Sequence, residues 1–263
     1  MKTEMYCYLS NRDPKVLPDT DELNEWLDPD RTAVVCIDMH RGHIGPEDEL
    51  TCPAPRAREK IPAHNMFHEL CRDVGIPIIH VQHWQRHGGI DGVNSKKPRN
   101  RRENWRTIYE LYLPANPLMD EHSWEGTKWL DLLVEEDPER DYYVRTKKRL
   151  SAFYPTDLEF LLRQMDVDNI VITGTYTDAC DLSTAFDAAN RDYRVIVPRD
   201  IVAGYDQEAE DAALLIISLV LGLVVDSPAL LQEYYARKGK ELPAALDGVT
   251  DISTVAGEIP VGV

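Results

Sequence analysis

The stretch IVITGTYTDACDLSTAFDAANRDYRVIVPRD, residues 170–200, indicates the fold of this chain. A continuous β-branched run predicts a buried strand over Asn169–Thr173, closed by Gly174. A helix is predicted over Leu182–Asn190 and a second buried strand over Tyr193–Pro198. A strand, a helix and a strand in so short a span predict two parallel strands joined by a right-handed crossover.

The same alternation continues on both sides of this stretch. Four more strands are predicted, at Thr32–Ile37, Pro77–Gln82, Tyr142–Thr146 and Leu223–Val225. Further helices are predicted at Arg56–Val74, Asp157–Met165, Glu208–Leu221 and Ser227–Ala236. We therefore expect a Rossmann-like α/β fold, a three-layer α/β/α arrangement with a six-stranded parallel sheet.

The length of 263 residues predicts a single domain over residues 1–263. Three segments interrupt the pattern: an arm at 1–31 expected on the surface, an insertion at 83–129, and a tail at 237–263 expected to be poorly ordered or packed on a partner subunit. The longest apolar run, Ala212–Val225, is too short for a membrane span and predicts buried core.

The chain is strongly acidic. It has 29 Lys and Arg against 46 Asp and Glu, a net charge of −17, which disfavours nucleic acid and anionic membrane surfaces as partners. Five cysteines without a CxxC pair, and an N-terminus without an apolar segment, predict a cytoplasmic protein without disulfides.

Three side chains that can perform chemistry follow predicted strands. Asp38, Lys147 and Cys180 each lie at the carboxyl end of a strand, where the crevice of a parallel sheet opens. A turn aspartate, a surface lysine beside Lys148, and a small core cysteine are the alternative interpretations of each residue alone. A helix beginning near Cys180 would lower the pKa of its thiol.

The motifs AVVCIDMH, KKRLSAFYPTDL and the stretch quoted above together resemble the isochorismatase-like cysteine hydrolases. That family includes nicotinamidase, N-carbamoylsarcosine amidohydrolase, ureidoacrylate hydrolase and biuret hydrolase. The resemblance runs from about residue 32 to residue 231. The most specific match is the glycine-x-x-threonine-x-x-cysteine spacing at Gly174, Thr177 and Cys180, and the family lysine corresponds to Lys147.

The resemblance implies a mechanism and a substrate class. Cys180 attacks the carbon of a small amide or carbamoyl compound and forms a thioester, Asp38 takes and returns the proton, and Lys147 holds Asp38. A cis peptide bond between Thr175 and Tyr176 is implied, with the Tyr176 and Cys180 N–H groups as the oxyanion hole. No cofactor is implied.

The chain departs from the family pattern at several positions. His40 and His43 replace the usual glutamine and aromatic residue, and they are candidate substrate-binding residues together with Trp84 and Tyr205. Asp181 replaces an apolar residue, and we expect it either to point outward or to recognise substrate.

The nicotinamidase metal pair Asp-x-His is absent, since His83 and Trp84 occupy those positions, and we expect no metal. Two alternatives to the amidohydrolase stay open. One is an isochorismate-type vinyl ether hydrolase, which needs no cysteine nucleophile, and the other is a catalytically silent binding or scaffold protein.

The insertion predicts assembly. Basic residues lie within Lys96–Arg106, and five aromatic residues lie nearby: Trp105, Tyr109, Tyr112, Trp124 and Trp129. Aromatic and arginine side chains are enriched at interfaces. We expect a homo-oligomer, a dimer or tetramer, with contacts from Lys96–Trp129. The alternatives are a solvated loop and aromatic residues that cap the chain's own helices.

Overall fold

The structure, a computed structural model, describes residues 5–10, 12–46, 52–91 and 123–256. The strands of these residues are β1 (Tyr6–Leu9), β2 (Arg12–Val16), β3 (Thr32–Ile37), β4 (Ile78–His83), β5 (Tyr142–Lys147), β6 (Asn169–Thr175), β7 (Arg194–Pro198), β8 (Val202–Ala203) and β9 (Gly222–Val225). Their α-helices are α1 (Asp21–Trp26), α2 (Arg41–Ile44), α3 (Pro55–Glu59), α4 (Ile61–Asp73), α5 (Leu158–Gln164), α6 (Leu182–Ala189), α7 (Gln207–Ile216) and α8 (Ser227–Arg237).

The predicted fold class is confirmed. The six predicted strands lie side by side in the order β9-β7-β6-β3-β4-β5, and each neighbouring pair is parallel. The expected number of six strands is too low for the whole sheet, because β1, β2 and β8 bring it to nine within the described residues. Because β3 lies between β6 and β4, its carboxyl end lies near the middle of the row of strand carboxyl ends.

Two layers of helices cover the sheet because each inner strand is apolar on both faces. Val35 packs with buried residues of α5, α6 and α7, whereas its neighbour Val34 packs with those of α4 and α8. This alternation follows from the two-residue period of a strand. The predicted helix over Arg56–Val74 is divided at Lys60 into α3 and α4.

The N-terminal arm differs from its prediction as a surface wrap. Strands β1 and β2 form an antiparallel hairpin, and Cys7 of β1 pairs with Val225 of β9, so the arm extends the sheet edge. Met5 and Leu27 on either side of the hairpin are buried.

As far as residue 256 the tail packs on its own chain, which differs from the expectation of poor order. Leu246 and Ile252 are buried in the same apolar cluster as α4 and α8, which they cover from outside. The Ile252 N–H also donates to the buried Asp200 carboxylate at 3.0 Å.

The apolar run Ala212–Val225 is buried in the core on one side only. Leu214 and Ile217 are buried, but Leu219 and Val220, on the turn after α7, are 61% and 70% exposed. The prediction of a wholly buried segment is therefore wrong for that turn. In the described ranges, none of the helices is both long and apolar enough to cross a bilayer.

The insertion falls largely outside the described residues, including Trp105, Tyr109 and Tyr112. Trp129 is buried within this chain, and Trp124 stacks edge-on against His87 at 5.8 Å. Trp129 therefore fits the alternative of packing within its own chain, and the homo-oligomer stays a prediction.

Gly174 sets the spacing between β6 and β3. It lies opposite Ile37 with φ of +117°, and a Cβ added there would be 2.1 Å from the Ile37 carbonyl oxygen. Only glycine permits this approach, which brings the end of β6 against the end of β3.

We predict that Gly174→Ala lowers the free energy of unfolding by at least about 3 kcal/mol, because the new methyl group overlaps backbone that cannot move independently. Gly75→Ala is the matched control: Gly75 also has positive φ, +82°, but a Cβ there meets no atom within 4 Å. The control should lose only about 1–2 kcal/mol, the cost of the left-handed conformation. Urea denaturation of both variants measures the difference, and equal losses would contradict the close-approach argument.

Candidate active site

Asp38 lies directly after β3 with φ of 55°, a left-handed conformation that aspartate tolerates better than most residues. Its side chain is fully buried. One carboxylate oxygen accepts the His83 backbone N–H at 2.7 Å, and the other accepts the Lys147 ammonium at 2.5 Å. The Asp38 carboxylate is thus bound by donors from two strands, β4 and β5.

Lys147, the last residue of β5, is 1% exposed. Its Nζ also lies 3.3 Å from the Cys180 Sγ. Lys148 points elsewhere, since its ammonium contacts the Trp84 carbonyl and lies 3.0 Å from Asp91. The structure therefore brings Lys147, and not its neighbour, to Asp38. We refer to Asp38, Lys147 and Cys180 as the central cluster.

Cys180 is reached through a tight turn. After Gly174 the peptide bond between Thr175 and Tyr176 is cis, as the family resemblance implies. A π-helical turn, Thr177–Asp181, then leads into α6. The Cys180 carbonyl accepts the Thr184 hydroxyl at 2.7 Å, and that hydroxyl accepts the Ala152 N–H at 2.9 Å. This pair of bonds fastens the loop after β5 to the turn.

Charges in the central cluster are tightly coupled. Burial alone would raise the pKa of Asp38, but the Lys147 ammonium, aided by His40, His43 and His83, lowers it far below its ordinary value. Burial tends to lower the pKa of Lys147, yet Asp38 raises it above the usual range. At neutral pH the two groups form a buried ion pair.

The net pKa of Cys180 differs from the expected lowering by a helix terminus. Burial raises the pKa of this thiol above its usual range, and the lowering effect of Lys147 does not compensate for it. Cys180 is therefore a thiol at neutral pH, and it must give up its proton before it can act as a nucleophile.

His40 and His43 lie beside the central cluster. The Nε2 atom of His40 lies 4.0 Å from an Asp38 carboxylate oxygen, and its Nδ1 atom lies 2.9 Å from the Trp129 carbonyl oxygen. The two imidazoles are 4.7 Å apart, and His43 meets the Tyr176 ring edge-on at 5.6 Å. Burial lowers the pKa of His43 to about 4, so this ring is neutral at neutral pH.

The two other candidate binding residues are Trp84 and Tyr205. Trp84 lines a cleft of about 580 Å³ with Lys148 and Tyr154. Tyr205 is 49% exposed, and its backbone N–H donates to Asp178 at 2.8 Å. No described contact joins either side chain to the central cluster.

Asp181 does not point outward, which corrects one of the two expectations for it. The side chain is completely buried, and within the described ranges neither carboxylate oxygen has a hydrogen-bond partner. Burial raises the pKa of Asp181 well above its ordinary value.

His83 has a role beyond the missing metal pair, because its backbone N–H donates a hydrogen bond to Asp38. Its position directly after Gln82, at the end of the neighbouring strand, is the sequence signal for this role. The ring is held separately, by the Ser123 hydroxyl at 3.0 Å.

In the described part of the chain, no three His, Cys, Asp or Glu side chains are arranged to hold a metal ion. His80 belongs to a different cluster, where its Nε2 lies 3.1 Å from Asp141, which is paired with Arg72 at 2.7 Å.

A family model described as the isochorismatase domain matches residues 32–229, a range that contains the whole central cluster. The uncharacterized isochorismatase family protein PncA of Bacillus subtilis (strain 168) is 27% identical over 191 residues, covering 70% of this chain and 92% of that protein. The maleamate amidohydrolase of Pseudomonas putida is 26% identical over 205 residues, covering 77% and 86%. A solved structure, the cysteine hydrolase from Pseudomonas syringae pv. phaseolicola 1448A, superimposes with a TM-score of 0.65 at 24% identity, covering 80% of this chain and 95% of that one.

The buried ion pair makes a prediction about stability. Lys147→Met leaves the Asp38 carboxylate buried without its cation, and we expect the free energy of unfolding at neutral pH to fall by about 3–5 kcal/mol. Lys148→Met is the matched control, because its partner Asp91 is partly solvated, and it should cost about 1 kcal/mol or less. Chemical denaturation measures both. A loss in Lys147→Met no larger than in the control would contradict the importance of the pair.

Proposed function

Because the chain belongs to the isochorismatase family, we propose that it is a cysteine amidohydrolase that cleaves the C–N bond of a small amide or carbamoyl compound. One observation supports this most directly. A single buried ammonium, that of Lys147, lies 2.5 Å from the Asp38 carboxylate and 3.3 Å from the Cys180 sulfur. A base, a cation and a nucleophile thus meet as three buried side chains.

The first step is proton transfer. Cys180 is protonated at rest, and Asp38 is the ionised group that receives its proton as the substrate binds. The thiolate then forms a bond to the carbonyl carbon while the C=O π electrons move to oxygen. Lys147 remains protonated throughout and faces the negative charge in both forms of the Asp38–Cys180 pair.

The second step releases the amine. Asp38 returns the proton to the leaving nitrogen, the C–N bond breaks, and a Cys180 thioester remains. Asp38, again ionised, takes a proton from the water that attacks the thioester. Hydrolysis releases the carboxylic acid product and restores the thiol.

The oxyanion of each tetrahedral intermediate needs donors. The Tyr176 and Cys180 backbone N–H groups, on the turn after the cis bond, are the proposed pair. Each such donor contributes roughly 3 kcal/mol to transition-state stabilisation.

The wall of the proposed substrate site is aromatic and uncharged where His43 meets Tyr176. This supports a small planar substrate, and the name of the P. putida relative, maleamate amidohydrolase, supports cleavage of an amide. An isochorismate-type vinyl ether hydrolase or a silent scaffold protein needs no cysteine, and neither accounts for a lysine directed at the Cys180 sulfur.

We predict that Cys180→Ala lowers kcat/KM for the best substrate of an amide and carbamoyl panel by at least about a thousandfold, or about 4 kcal/mol. Acid-quenched wild-type reactions should show the acyl mass on the peptide that contains Cys180. Cys7→Ala, on the outer β1 strand, is the control and should keep wild-type turnover. Activity of Cys180→Ala within about tenfold of wild type would exclude the nucleophile assignment.

Metal dependence gives a second test of this mechanism. We predict that exhaustive chelation with EDTA leaves turnover unchanged, because every step above is performed by the central cluster and backbone donors. Loss of activity on chelation, with recovery on adding Zn²⁺, would show that a metal takes part.

A further inference from the structure

Asp181 is a buried acid to which the proposed mechanism assigns no task. It directly follows Cys180, its side chain has no exposure, and both of its carboxylate oxygens are without a partner among the described residues. The hydroxyl of Thr177, one helical turn earlier, is likewise buried without a partner there. Buried polar groups are rarely left in this state without a reason.

The charged groups around Asp181 are mostly negative. Asp38 at the end of β3, Asp178 in the same turn and Glu210 on α7 each disfavour its ionisation, whereas Lys147 favours it. Lys147 is already paired with Asp38 at 2.5 Å.

The neighbouring acids have partners of their own. Glu210 accepts the Arg56 guanidinium at 2.9 Å and the Gly204 N–H at 3.0 Å, and Asp178 accepts the Tyr205 N–H at 2.8 Å. Arg56 is therefore engaged by Glu210. The thiols of Cys36 and Cys180, whose pKa values an ionised Asp181 raises, supply no positive charge.

An ionised carboxylate in this position is costly, because a buried charge without a partner loses its hydration and gains nothing in exchange. A protonated Asp181 avoids that cost. It also leaves the Cys180 thiol free to ionise, whereas an ionised Asp181 disfavours the thiolate beside it.

We propose that Asp181 is kept as a neutral carboxylic acid beside Cys180, and that its ionisation as the pH rises suppresses formation of the Cys180 thiolate. Asp181 is thus a positioning residue that sets an upper pH limit on the nucleophile. The proposal deepens the proposed function and rests on Cys180 being the nucleophile. On ionisation the Asp181 proton passes to solvent, and the thiol keeps its own proton.

The test is the pH dependence of Cys180 alkylation by iodoacetamide, followed by mass spectrometry of the Cys180 peptide so that the other four cysteines do not interfere. Asp181→Asn and Asp181→Val both remove the ionisable group. Asp187→Asn is the control, since Asp187 lies on α6 and pairs with Arg191 at 3.2 Å.

We expect Cys180 in Asp181→Asn and Asp181→Val to react with iodoacetamide at the wild-type rate at about pH 6. At about pH 9.5 it should react about tenfold faster than in wild type, or more, which corresponds to a change of about one unit in the thiol pKa. Asp187→Asn should follow the wild-type curve. If the alkylation rates of both Asp181 variants match the wild-type rates at every pH, the proposal is overturned. A shift in only one of them would also overturn it, because packing and not charge would then be the cause.

The wild-type protein gives an independent result if the variants fold poorly. A lone thiol gives a logarithmic rate that rises with unit slope up to its pKa, whereas two coupled groups give a region of reduced slope before the rise resumes. If the logarithm of the wild-type alkylation rate rises with unit slope up to a single pKa, the proposal is overturned. Alkylation requires no substrate, so this outcome is separate from loss of turnover in Cys180→Ala.

Discussion

The buried ion pair between Lys147 and Asp38 is the interaction on which the rest of the site depends. The two residues lie on β5 and β3, with β4 between them, and the His83 N–H of β4 donates to the same carboxylate. The Lys147 ammonium then extends the connection to Cys180 in the turn after β6. Four adjacent strands are therefore joined at their carboxyl ends, and each charge is stable there only because the other is present.

Much of this arrangement follows from local pattern. The β-branched runs predicted all six parallel strands, and the rule that ligands bind beyond the carboxyl ends of such strands selected Asp38, Lys147 and Cys180 from many polar residues. The choice of Lys147 over Lys148 came from the family resemblance. The structure gives it a physical basis, since the Lys147 ammonium contacts Asp38 whereas that of Lys148 contacts the Trp84 carbonyl.

Other features depend on contacts between residues far apart in sequence. Strand β1 is short and half-exposed, and its pairing with β9 joins Cys7 to Val225 across most of the chain. Ile252 is buried against a cluster built by α4 and α8, which no local signal reveals. The expected lowering of the Cys180 pKa considered the helix terminus alone, whereas burial dominates. Trp84 and Tyr205 are predicted from their positions along the chain, and those positions do not determine where their side chains point.

The proposed reaction preserves the charge balance of the central cluster. In it, one negative charge moves from the Asp38 carboxylate to the Cys180 sulfur, both of which contact the Lys147 ammonium, and then to the substrate oxygen. The neutral His43 ring adds no charge to this sequence. An ionised Asp181 would place two negative charges against a single cation in a buried space, where such an excess is poorly screened. An acid next to the nucleophile is compatible with catalysis only while it keeps its proton, and the lack of any partner for Asp181 in the described structure favours that protonated form.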